Sequence, residues 1–109
     1  MAWLGASLAS VRGFPSAARI EVGFQLWRVQ LGLLPNDWKP LPLVGRGVRE
    51  IRIHTGTEHR VIYVADRPEA IYVLHTFQKR SQKTMRRDIE LARWRLEQLR
   101  RSSDARTEP

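Results

Sequence analysis

Apolar and polar positions along the chain change their rhythm three times. Across residues 16–34, Ile20, Phe24, Trp27, Leu31 and Leu34 recur at alternating spacings of four and three. That spacing places them on one side of a helix and predicts that this stripe faces the core. Pro15 and Ser16 open the helix, Gly32 weakens its last turn and Pro35–Asn36–Asp37 ends it. Upstream, residues 2–5 read as a short edge strand in which Trp3 and Leu4 supply buried surface. Ser7 is positioned to cap a short helix over residues 8–13.

Residues 37–47 carry Pro40, Pro42, Gly45 and Gly47 and read as a loop. From Val48 to His54 the period becomes two: Ile51 and Ile53 face one way, while Glu50, Arg52 and His54 face the other. Gly56 marks a turn. Residues 60–65 form a second strand, apolar on both faces after Arg60 and therefore central. A reversal at 66–69, with Pro68, leads to a third strand over 70–78. Thr84 caps a closing helix with the apolar stripe Met85, Ile89, Ala92, Leu96 and Leu99. Arg93 with Glu97, and Glu97 with Arg101, stand at i,i+4 spacing on it. The order is α+β: a short strand and two helices, an antiparallel sheet of three main strands, and one helix to close. A single domain over residues 1–101 is expected, with a disordered tail over 102–109.

Charge narrows the choice of partners. The 109-residue chain has 19 Lys+Arg against 11 Asp+Glu, a formal net charge of +8 and a pI near 11.2. A domain this basic is biased toward nucleic acid, an anionic surface or an acidic protein. The absence of cysteine excludes disulfides, thiolate metal sites and a cysteine nucleophile. No apolar run reaches the length of a membrane span, and the N-terminal segment makes a poor signal peptide, so a cytoplasmic location is expected.

The strongest candidate site is a basic set: Arg49, Arg52, Arg60, Lys79 and Arg80. Arg52 and His54 share a strand face, Arg60 opens the next strand, and Lys79 and Arg80 stand where the third strand leaves the sheet. Converging on one concavity, these groups would bind a phosphate and stabilise the added charge of a pentavalent transition state. The plainer alternative is a solvated polar face. Of the histidines, His54 is a candidate general acid or base, His75 reads as a hydrogen-bonded core residue and His59 as exposed. None stands at metal-ligand spacing, so no metal and no cofactor are expected. Glu50 is a candidate base, with an ion pair to a neighbouring strand as its blander role. Trp27 and Trp3 read as core, while Trp38 and Trp94 partly cover the sheet or a partner.

Several phrases together carry a resemblance: WLGASLASVRGFP, QLGLLPNDWKPLPLVGRGVREIRI, HRVIYV, YVLHTFQKRSQKT and DIELAR. From Trp3 to Leu99 the chain resembles the phage-derived HigB-like branch of the RelE toxin superfamily. The resemblance implies a RelE-like fold and a toxin of a type II toxin–antitoxin system. Such toxins are metal-independent endoribonucleases that cut messenger RNA on the ribosome and are held inactive by a helix-turn-helix antitoxin. The positions that match the family's cleavage site are Arg52, Arg60, Lys79 and Arg80, with His54 beside them. Arg49, Lys83, Arg86 and Arg87 would hold the RNA. The implied chemistry is attack of a ribose 2′-OH on the adjacent phosphate. Two departures leave the general base open: Arg86 stands in the region where RelE proper has a tyrosine, and Glu50 and Arg52 replace two lysines. A non-catalytic basic module that binds RNA or a protein is the rival from another class.

Overall fold

In the computed structural model, residues 1–67, 70–81 and 86–107 are described, apart from the side chains of 66, 67 and 103–107. The elements in chain order are β1 (Ala2–Trp3), α1 (Ser7–Arg12), α2 (Ser16–Gln30), β2 (Trp38–Pro40), β3 (Val48–His54), β4 (Glu58–Arg67), β5 (Ala70–Gln78) and α3 (Arg86–Thr107). The strands form one sheet in the order β1-β5-β4-β3-β2. The central meander β3-β4-β5 is antiparallel as expected, but the sheet has five strands and is mixed, since β1 runs parallel to β5. The strand missed by sequence is β2. Its three residues lie in a proline-bearing stretch and pair with β3, and Pro40 is tolerated because β2 is an edge.

Strand alternation gives each face of the sheet its own core. On one face Ile51, Ile53, Val61, Tyr63, Ile71 and Val73 pack with Val11, Val22, Leu26 and Val29 of α1 and α2. On the other Val48, Ile62, Val64 and Leu74 pack with Leu41, Val44, Ala92 and Leu96. A register shift between β4 and β5 beside Tyr63 lets the extra residue Leu74 point toward α3. The α3 stripe Ile89, Ala92, Leu96 and Leu99 packs as its spacing predicts; Met85 lies outside the described residues. Gly45 brings the 41–46 loop against α3, where a Cβ would collide with Leu96. Arg93 and Arg100 fasten the same loop by donating to the carbonyls of Leu43 and Arg46. Arg93 is thus spent on this loop rather than on Glu97; the ion pair along the described part of α3 is Arg86–Glu90. The helix continues to Thr107, beyond Arg101 where the sequence reading ends the domain.

Three local expectations are corrected. Ile20, Phe24, Trp27, Leu31 and Leu34 do not face the core; each is 43–73% exposed. The inward side of α2 is Ala18, Val22, Gln25, Leu26 and Val29, and the helix ends at Gln30 rather than near Leu34. Ala18, Val22, Gln25 and Val29 follow the same four-three-four spacing, so periodicity alone could not choose between two opposite stripes. Ser7 does not cap α1 but is its buried first residue, and its hydroxyl donates to the Val73 carbonyl at 3.3 Å. His59 is 1% exposed rather than surface-lying, with its ring 4.2 Å from that of Phe14. Thr84, the expected cap of α3, lies outside the described residues.

Candidate functional site

The sheet's α3-covered face changes character toward one end. Glu50, Arg52 and His54 on β3 face the same way, and the register sets Arg52 directly against Arg60 of β4 and Arg60 against Phe77 of β5. Glu50 is fully buried, with Lys39 Nζ and Arg60 Nε each 3.7 Å from its carboxylate. A carboxylate taken out of water demands such partners. The ion-pair reading of Glu50 therefore holds, and Arg60, 5% exposed, is anchored beneath the surface. Its Nη1 also donates to the His59 carbonyl at 3.0 Å, and Glu58 lies at 3.5 Å.

Above this pair opens a cleft of about 510 Å³ lined by Glu58, Arg60, Lys79, Arg80 and Ser81. A second hollow of about 310 Å³ continues past Lys79 and Arg80 to Arg87, Asp88 and Phe77. The backbone brings these pieces together: the Lys79 N–H donates to the Glu58 carbonyl at 2.8 Å, tying the end of β5 to the start of β4. The Lys79 amine is held below its ordinary pKa. Burial is the largest cause, followed by the Arg60 charge; Glu50 opposes, and Lys39 and Arg52 add to the lowering. Arg52 belongs to the same field, although its guanidinium also lies 3.9 Å from Asp37.

His54 stands at the rim, between two carboxylates. Nε2 is 2.6 Å from Asp37 and Nδ1 is 2.7 Å from Glu58. Carboxylates only accept, so it is the imidazolium, with hydrogen on both ring nitrogens, that satisfies both bonds at once. The bonds to Asp37 and then Glu58 raise its pKa. In this state His54 is an acid and not a base. His75 is the hydrogen-bonded core residue expected: its Nε2–H donates to Asp88 at 2.7 Å and its ring stacks on Phe77. Burial pushes its pKa down, against the pull of Asp88.

The expected site residues thus divide. Arg60, Lys79 and Arg80 line one cleft, Arg87 joins its continuation, and Arg52 and His54 stand beside it. Arg49 alternates onto the opposite face of β3 and lies 5.0 Å from the Trp38 ring, outside the cleft lining. Arg86 is also absent from that lining and bonds Glu90 at 2.8 Å; Lys83 lies outside the described residues. Sequence reading missed Lys39, Glu58, Asp37 and Ser81. Lys39 carried no signal, because only the pairing of Lys39 with Glu50 across β2 and β3 brings it in.

Fold and site together define a small basic α+β domain whose central sheet ends in a cationic cleft. The profile of the phage derived protein Gp49-like (DUF891) family matches residues 9–97. The chain belongs to that phage-derived, toxin-like family of toxin–antitoxin systems. No curated protein matches it significantly.

Proposed function

We propose that the protein is a RelE/HigB-like toxin with a RelE-like fold, a metal-independent, ribosome-dependent messenger-RNA endoribonuclease of the cytoplasm. A helix-turn-helix antitoxin neutralises it. The observation that supports this reading is the cleft in which Lys79, Arg80 and buried Arg60 surround one hollow. A scissile phosphate seated there meets Arg60 at the floor and Lys79 and Arg80 at the walls, with Arg87 on the path of the flanking strand. The ribose 2′-oxygen attacks phosphorus, the bond to the 5′-oxygen breaks, and a cyclic phosphate and a 5′-hydroxyl result. Cations fixed before the reaction stabilise the extra charge of the transition state. In this reading either Lys79, with its lowered pKa, or the Glu58 carboxylate takes the 2′-OH proton. The His54 imidazolium is placed to return one to the leaving oxygen.

The test is induced expression in a bacterial host with primer extension on abundant messages. Wild type gives discrete, translation-dependent cuts; Lys79→Ala with Arg80→Ala removes them while circular dichroism shows the fold retained. Arg60→Ala is the poorer test, because it strands buried Glu50 and endangers the fold itself. A second reading, a binding module without catalysis, is favoured by two observations. Arg60 is partly neutralised by Glu50, and His54 is already bonded on both nitrogens. Intact messages bound by a folded wild-type protein would establish that reading instead.

A further inference from the structure

Helix α2 is apolar on two opposite sides. Its inner side is used by the sheet, yet Ile20, Phe24, Trp27 and Leu31 remain 73%, 43%, 53% and 56% exposed on the outer one. The rings of Phe24 and Trp27 lie 6.0 Å apart, and Leu33 and Leu34, 48% and 47% exposed, extend the patch past the helix end. Apolar surface on both sides is the pattern of a helix between two layers, and this chain supplies one of them. The four-three-four spacing is that of a coiled-coil seam, which takes the side chains of a facing helix. At 1.5 Å per residue the seam runs along a helix roughly 22 Å long.

Charge selects the occupant. Arg19 precedes Ile20 and Arg28 follows Trp27, so helical geometry places one arginine on each side of the stripe. Among the described residues neither is paired with a carboxylate, and Arg28 is held beside the seam by two bonds to the Leu34 carbonyl. Glu21, the one carboxylate of α2, accepts from Gln25. A second copy of the chain would bring the same arginines and another formal +8 against them. We propose that the outer face of α2 is the docking site of a different protein, which presents an amphipathic helix with an apolar heptad seam flanked by Asp or Glu. Because α2 and the cationic cleft lie on opposite faces of the sheet, this partner leaves the cleft uncovered, and the proposal does not depend on what the cleft does.

The test is titration calorimetry of the full chain with a synthetic three-heptad helical peptide carrying a leucine seam and flanking glutamates. The same peptide with lysines in place of the glutamates is the control. The acidic peptide is expected to bind saturably and the lysine peptide not to bind. Phe24→Ser with Trp27→Ser, both at exposed positions that the fold does not need, should weaken binding about tenfold or more. Arg19→Glu should weaken it and flatten its salt dependence. Equal binding of both peptides, or no binding of the acidic one, overturns the proposal. So does a wild-type dimer in sedimentation that the Phe24/Trp27 variant abolishes, which would assign the face to a second copy.

Discussion

Beneath α1 and α2, the sheet meets its helices through a mainly apolar cluster of Ile51, Ile53, Val61, Tyr63, Ile71 and Val73, with buried His59 against Phe14. Beneath α3 the same strands present Val48, Ile62, Val64 and Leu74 at one end and Glu50, Arg52 and Arg60 at the other. Among the described residues the first face holds no ion pair. The second accepts a buried carboxylate and a nearly buried guanidinium, each compensated by the other, and so holds an arginine rigidly at the floor of a cleft. A charge fixed in place costs no reorganisation when a phosphate arrives, which is what an apolar face cannot supply and a flexible surface arginine supplies poorly.

The sharpest way to break this contrast is at Glu50. Glu50→Ala should destabilise the fold by about 3–5 kcal/mol in urea unfolding, because Arg60 loses its buried partner. Glu50→Leu combined with Arg60→Met should recover most of that loss and still give no messenger cleavage, making the second face resemble the first. A double variant as unstable as Glu50→Ala would show that something other than the ion pair governs this end of the sheet.

On the apolar face, Leu26→Ala should cost about 2–5 kcal/mol, while primer-extension cuts per folded molecule stay at the wild-type level. In the cleft the expectation inverts. Lys79→Ala with Arg80→Ala should change stability by about 0.5 kcal/mol or less and reduce cleavage by about 100-fold or more. Loss of stability without loss of cutting in that variant would remove both residues from the proposed site.

The smallest effects separate the histidines by the sign of their pH dependence. The pKa of His54 is raised above its ordinary 6.5, so its stabilising contribution is full below that value and is lost as pH rises through the raised one. For an exposed pair this amounts to less than about 1 kcal/mol. His75 and His59 are lowered from 6.5 by burial, so each costs stability as pH falls below that value toward its folded one. Urea midpoints measured across this range should lose their alkaline decline in His54→Gln and part of their acid decline in His75→Gln.

The sequence by itself determined the three-strand meander and the closing helix, because a period of two or of three to four residues is a local property of the chain. Arg60, Lys79 and Arg80 were also legible, since charges at strand ends stand out against an apolar run. Only the tertiary structure decided which stripe of α2 faces inward, because two opposite stripes share one spacing. It alone brought Lys39 to Glu50, and Asp37 and Glu58 to His54. Those meetings depend on how separate strands align, and alignment is a relation between segments that no one segment records.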